Sequence, residues 1–521
     1  MTLDPSDRTR SIVDSVHGLI RLTPEEMRII DHPLFQRLRA IKQNGLLHLV
    51  FPAATHTRFE HSLGALFVAT SMLDAIVANS KVAAAKTPPR VASPTTKNLG
   101  EAINFSELDS LDLKMVCRIT RLAALVHDLG HGPLSHTFDA FAPSITALGS
   151  FLQDPRLKTI RVFESFLNNK KTDYGKIEHD AMSCLLFALI WGDRDPDILL
   201  AVCAAILGKD VFSSVPEKLQ PWVPLINDLI ASAPADADRM DYLERDSRSL
   251  GVTYGLFDRN RILKTLLCYK DEGLSEPCYR LGLKKSGIGA IENLVQARFE
   301  LYFQIYYHKT NSAASLMLDT IARDAIKNGV DIWKGKSLQE IVEGYLTLTD
   351  ETFLRILRGE QVGQPLPDSI TTLARQVSSR RLWKRMLDCE YKSDKGPNAT
   401  QKVAAREAAE LQSQFPNDRF LVFQTSADAT KDLFDGARLL TTSSTGIYSL
   451  QKDGKSWQDA STIIRALSNR DLGIARIYLC SDNEERAVEL RQLIPALGLD
   501  MVAAPAVLPT SGTLPGTLSG P

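Results

Sequence analysis

A chain of 521 residues with 44% hydrophobic content can bury a large core, and its net charge of −1 excludes a generally basic surface for nucleic acid. That balance still permits a local basic pocket for a polyphosphate. Seven scattered cysteines without a CxxC pair read as reduced core thiols of a cytoplasmic protein, with no leader and no apolar run of membrane-span length expected.

In chain order, residues 11–20 alternate loosely around Gly18 and predict a short strand or extended arm. Thr23, followed by Pro24, Glu25 and Glu26, is a helix start: the hydroxyl caps, proline fits the first turn and the acids suit the dipole. Residues 31–43 predict a helix with Leu34, Leu38 and Ile41 inward and Arg37, Arg39 and Lys42 elsewhere. A long helix is expected from the Arg58 region to Ala78, with Arg58 and His61 on one face near its start. The stretch at about 80–105, rich in Ala, Pro, Thr and Lys, reads as a loop or insertion.

Val116, Ile119, Leu122, Ala123 and Val126 recur at helical steps, and the helix they predict should stop near Gly130 and Gly132, with Pro133 blocking continuation. His127 and Asp128 then fall in the last turn of a core helix, beside a glycine-rich bend carrying His131 and His136. A buried imidazole and carboxylate each need a partner. A divalent cation serves both, and a hydrogen-bonded helix end is the alternative for a lone pair. Further helices are expected over 150–168, 177–190, 197–207 and 225–231. Residues 236–246, DADRMDYLERD, set Asp238, Asp241 and Tyr242 on one helical face. Residues 290–308 predict a long helix whose aromatic stripe packs in the core except where it meets a site.

Helical texture continues to about Leu387, with a loop over 394–400. Strand-like runs at 419–424, 446–450 and 475–480, with helices at 461–467 and 483–493, predict a small α+β module. From about Pro505 the composition predicts a disordered tail. The expected fold is mainly α: a helical core over 1–330, a C-terminal helical and α+β module over 331–504, and a tail over 505–521.

Eight of the ten histidines lie between His17 and His136, followed by His179 and His308, so chemistry belongs to the first three hundred or so residues. Four candidate ligands emerge: His61, His127, Asp128 and Asp238. Two imidazoles with two carboxylates suit a divalent metal such as Fe, Mn, Zn, Ni or Mg better than Ca. His131, His136 and His179 are candidate proton donors or acceptors. Arg58, Arg239, Arg298 and Lys309 are candidates for neutralising a polyphosphate.

Five motifs in order, HTRFEHS, LVHDLGHGPLSH, IEHDAMS, DADRMDYLERD and YYHK, make the chain resemble the HD-domain phosphohydrolases over roughly residues 10–320. The branch it is most similar to is the deoxynucleoside triphosphate triphosphohydrolases, which include bacterial dNTPases and the vertebrate SAM-and-HD-domain enzyme. The resemblance implies an HD helical core in which His61, His127, Asp128 and Asp238 match metal ligands. His131, His136, Asp139, His179 and Asp180 match residues lining the reaction centre. Arg58, Arg239, Arg298, Tyr306 and Lys309 match phosphate and sugar contacts, and Gln43, Tyr242 and Asp246 match the groups that recognise deoxyribose.

The implied reaction is cleavage of a dNTP to deoxynucleoside and inorganic triphosphate, by water attacking the α-phosphorus. Asp31, Gln36, Arg37 and Arg39 match positions near a regulatory nucleotide pocket between subunits, which implies an activating nucleotide and a homo-oligomer, dimer or tetramer. Val13 stands where the vertebrate relative has an amide, and Arg239 replaces its lysine. Neither a membrane nor nucleic acid is expected as a main partner. The competing expectations are an HD phosphohydrolase acting on another phosphoester (a cyclic nucleotide, nucleoside monophosphate or alarmone) and a nucleotide-binding regulator. The biological setting would be nucleotide-pool balance or antiviral defence.

Overall fold

A computed structural model describes residues 10–85, 102–105, 110–231, 235–271, 278–360, 365–390, 397–428, 438–442, 448–450, 461–468, 471–499 and 502–503. The tail expected over 505–521 and most of the insertion expected at 80–105 lie outside them. The fold is mainly α with a smaller α+β part.

Its centre is the Arg58–Ala85 helix, which packs against both Ser110–Val126 and Ala237–Leu250. Length and composition make this helix apolar enough to cross a membrane, which corrects the expectation that no segment approaches a span. Its apolar character instead fits burial: Leu63, Leu66, Val68, Ala69, Met72 and Ile76 are all buried in the core. Gly64 permits the close approach of Ala237–Leu250, because a Cβ there would fall 1.9 Å from Asp241 Oδ1 and 2.3 Å from Arg245 Nη2. Gly64→Ala is therefore expected to destabilise the protein by about 2–3 kcal/mol through overpacking. Thermal unfolding checks this, and an unchanged Tm would contradict the close approach.

The 11–20 region forms an antiparallel hairpin, β1 (Arg10–Asp14) and β2 (Gly18–Leu22), closed by Gly18 at φ +73°. Residues 31–43 differ from the single helix expected. The helix covers only Pro33–Gln36, tightens into a 3₁₀ turn over Arg37–Ala40 and ends at an extended Ile41. There the backbone exchanges helical bonds for a bridge to the chain before the central helix: Arg58 N–H donates to Ile41 O and Gln43 N–H to His56 O, each at 3.0 Å. Arg37, expected outside, is buried and donates to Leu129 O beneath the Tyr345 ring. Residues 150–168 are likewise broken into short turns and a four-residue helix, Glu164–Leu167. Pro155 interrupts them, and Asp154 accepts from Arg156 N–H at 2.9 Å.

The long helix expected over 290–308 runs from Ile288 to Leu301 and then widens into a π turn over Tyr302–Tyr306. Two strands not expected, β3 (Leu266–Asp271) and β4 (Cys278–Lys284), pair antiparallel. In the C-terminal part, β5 (Lys384–Glu390) replaces the end of the expected helical stretch, and Pro397–Gln414 is helical. Strands β6 (Phe420–Asp428), β7 (Arg438–Thr442), β8 (Tyr448–Leu450), β9 (Asp471–Leu479) and β10 (Val502–Ala503) complete two sheets, ordered β10-β5-β9-β6 and β3-β4-β7-β8. The main core runs on past residue 330, taking in Trp333, Tyr345, Phe353 and Val377, whereas a second core of Met386, Leu411, Ile477 and Leu490 lies under β5 and β9.

Candidate active site

His61 sits in the first turn of the central helix and is fully buried. Its Nδ1 lies 2.8 Å from Asp241 Oδ2. A carboxylate only accepts, so Nδ1 carries a proton, and in the neutral imidazole that a metal would bind, Nε2 holds the lone pair. His127, just past the Ser110–Val126 helix, follows the same logic: Nδ1 donates to Ala124 O at 2.9 Å. Neither buried Nε2 has a hydrogen-bond partner. Both face Asp238 Oδ1, which lies 3.0 Å from His61 Nε2 and 3.8 Å from His127 Nε2. The ligand atoms of the three residues fall within 4.8 Å of one another.

Two lone pairs and a carboxylate oxygen turned on each other require a positive charge between them. Burial would lower the His61 pKa, but Asp238, Asp241 and Asp128 override it and raise it to about 10. His61 and His127 conversely hold Asp238 well below the usual carboxylate range despite its burial. A proton satisfies this arrangement partly, and a divalent cation fits the donor set of two imidazoles and a carboxylate. Asp128 stands alongside, its oxygens 3.6 Å from His61 Nε2 and 3.5 Å from His127 Nε2. It is shared with Arg58, whose Nη1 donates to Oδ2. Burial would raise Asp128, but Arg58, His127 and His131 outweigh it and hold it well below the usual range.

Behind His61, Asp241 is the hub of a buried network. It accepts from His17 Nε2 at 2.6 Å and from Arg245 Nε and Nη2 at 2.9 and 3.0 Å, and Arg245 also reaches Asp14 at 2.9 Å. Arg259 Nη1 donates to His17 Nδ1 at 2.9 Å, which leaves the His17 proton on Nε2, facing Asp241. Such outer partners fix the tautomer and orientation of a ligating imidazole.

A cavity of about 680 Å³ opens onto the cluster. Of the residues singled out in the sequence, Gln43, Arg58, His127, Asp128, His131, His179, Asp180, Asp238, Tyr242, Asp246 and Tyr306 line it. The His131 and His179 rings stack at 3.9 Å, an approach permitted by Gly130, where a Cβ would meet His179 O at 2.2 Å. Burial, Arg58 and His179 push the His131 pKa well down. Asp246 accepts from Asn44 Nδ2 at 2.9 Å, from His56 Nε2 at 2.6 Å and from the Tyr306 hydroxyl, so it frames this wall. Gln43 Oε1 is buried without a hydrogen-bond partner.

Arg239, Arg298, Lys309 and Asp139 do not line the described cavity. Arg239 is drawn instead to buried Asp236, and Arg298 lies over the Tyr302 ring, 5.1 Å from its centroid. Lys309 opens the Lys309–Lys327 helix, its carbonyl accepting from Tyr478 OH at 2.6 Å, and Asp139 lies in the Ser135–Ala140 turn. The side chain of His136, in the same turn, falls outside the described residues. Asp31 and Arg39 are exposed, with Arg39 Nε donating to Gln36 Oε1 at 2.8 Å and its guanidinium 3.6 Å from the Phe59 ring centroid. Asn44, Tyr174 and Asp319 also line the cavity without a motif to mark them, and so does Ser135, which sits inside LVHDLGHGPLSH with no role expected for it. The His17 and Asp14 contacts span more than two hundred positions and leave no local signal. Within that network Asp241 is marked in the sequence by its helical spacing from Asp238.

No protein-family model matches the chain. Over 401 residues it is 28% identical to the deoxynucleoside triphosphate triphosphohydrolase SAMHD1 of Homo sapiens, an alignment covering 73% of this chain and 55% of that protein. An HD domain-containing protein of Acanthamoeba polyphaga mimivirus is 25% identical over 389 residues, 72% of each chain. The chain is thus similar in sequence to an HD-domain dNTP triphosphohydrolase and to an HD domain-containing protein. It spans 55–65% of the length of the first curated relatives it matches. A solved structure, a hypothetical protein from Aquifex aeolicus, shares the fold of this chain with a TM-score of 0.58. It is 23% identical, and the match covers 92% of this chain and 99% of that one.

Proposed function

We propose that the chain is a metal-dependent phosphohydrolase that cleaves deoxynucleoside triphosphates to deoxynucleoside and inorganic triphosphate. The observation that carries this reading is the pair of buried imidazole nitrogens turned on Asp238 beside a cavity large enough for a nucleotide. His61, His127 and Asp238 would hold the ion, with Asp128 alongside. Such an ion supplies charge for phosphoryl oxygens and lowers the pKa of water.

Arg58, fixed between Asp128 and Ser135, presents a guanidinium to the cavity for phosphate oxygens. Attack of water on the α-phosphorus releases the 5′-oxygen, which needs a proton as it leaves. The lowered pKa of His131, 3.3 Å from Asp128, leaves that ring neutral, so His179, stacked on it and lining the cavity, is the candidate donor. Tyr242 and Gln43, on the cavity wall, would crowd a ribose 2′-hydroxyl and leave it unpaired. Activation by a second nucleotide and assembly into a dimer or tetramer belong to the same reading. Turnover of one dNTP unaffected by adding another would count against activation.

The test is product identification on purified, metal-loaded protein. Triphosphate and deoxynucleoside are expected, with dATP preferred over ATP by at least about tenfold and the preference reduced in Tyr242→Ala and Gln43→Ala. Orthophosphate, pyrophosphate or a linearised dinucleotide as product would point to another phosphoester. Equal turnover of ATP and dATP would overturn the sugar assignment.

A further inference from the structure

We propose that Asp350, which does not line the cavity, is the positioning residue that sets two of the loops lining it, a role that rests on the nucleotide reading above. Asp350 opens the Asp350–Leu357 helix, capped by Thr349, and only 4% of its surface is exposed. Its two oxygens are divided between two distant loops. Oδ2 accepts from Lys42 N–H and Oδ1 from Leu134 N–H, each at 2.9 Å, across 308 and 216 positions of chain. Lys42 Nζ adds an ion pair at 3.6 Å.

Each loop carries cavity residues immediately after its anchored amide. Lys42 precedes Gln43 and Asn44, the latter bonded to Asp246. Leu134 precedes Ser135, whose Oγ accepts from Arg58 Nη2 at 2.7 Å, and Arg58 continues to Asp128. Leu134 and Ser135 are both left-handed, at φ +56° and +57°. Two consecutive residues with side chains do not hold that conformation unless the surroundings impose it. Asp350 ties the first and Arg58 the second. The two loops also touch: a Cβ on Gly45, at φ +49°, would lie 3.4 Å from Leu134 O.

The Asp350 helix is itself fastened beneath the histidine loop, since Phe353 meets Phe138 and Phe141 with ring centroids 5.4 and 5.2 Å apart. The role demands two acceptor oxygens at one reach. Asparagine keeps one acceptor and turns an NH₂ donor on a backbone N–H, and glutamate keeps both acceptors one methylene further out. The aspartate thus couples the sugar-facing loop to the phosphate-facing arginine while touching neither substrate nor metal ligand.

The experiment compares the full-length wild type with Asp350→Asn and Asp350→Glu by amide hydrogen exchange, Mn²⁺ content and dATP kinetics. In Asp350→Asn, protection should fall in residues 42–47 and 131–137 while the helical core and Mn²⁺ content stay as in wild type. KM for dATP should rise at least tenfold with kcat lowered less, and Asp350→Glu should recover part of it. Unchanged exchange in both loops, loss of protection spread through the core of both variants, or loosened loops with unchanged KM would each overturn the assignment. Should wild type fail to hydrolyse dATP, the function proposed above fails. The exchange pattern still decides whether Asp350 holds the loops.

Discussion

Asp238→Ala is expected to lose both metal and turnover. The side chain contributes the oxygen toward which both unpartnered imidazole nitrogens are turned, at 3.0 and 3.8 Å. Without it two imidazoles remain, with Asp128 committed to Arg58. Loss of an ion that supplies several kcal/mol of transition-state stabilisation corresponds to a fall in kcat/KM of about 10³-fold or more. Metal analysis and steady-state kinetics on the same preparation check this. Full metal occupancy with wild-type turnover in Asp238→Ala would show that the ligand set is wrong.

Asp241→Asn is expected to damage stability more than any other single change near the site. The carboxylate is fully buried and serves His17, His61 and Arg245 together. His17, His61 and Arg245 hold it well below the usual carboxylate range against its burial, Arg245 foremost. Neutralising it leaves a buried guanidinium with Asp14 alone, and breaking such a pair costs about 3–5 kcal/mol. It also frees the His61 tautomer, so metal affinity should fall by about 10–100-fold. Denaturant unfolding of the metal-free protein separates the first effect from the second, which is read by metal titration. A variant as stable as wild type that binds metal equally well would remove Asp241 from the account.

The parts of the site legible in the sequence are those built on local spacing. Arg58 and His61 share a helical turn, His127 and Asp128 end a core helix at a glycine bend, and Asp238, Asp241 and Tyr242 share a face. In the structure each group keeps its local arrangement, and the three segments meet at one cavity. The roles that were not legible depend on contacts between remote segments. His17 arrives on a hairpin tip, Asn44 on a loop set by a backbone bridge to Thr57, and Asp350 from beyond residue 330. Arg37 looked like a surface arginine on an amphipathic helix. It is buried because the chain abandons the helix after Gln36. Arg239 looked like a phosphate ligand, but the buried Asp236 three residues earlier takes its guanidinium. A tertiary partner thus claims Arg37, and a neighbour at the start of its own helix claims Arg239.

The most direct test is diffraction at the zinc edge from crystals of Zn²⁺-loaded protein. An anomalous peak within about 2.2 Å of His61 Nε2, His127 Nε2 and an Asp238 oxygen is the predicted result. A loaded crystal with no peak at that point, or with the ion held by other residues, would contradict the account.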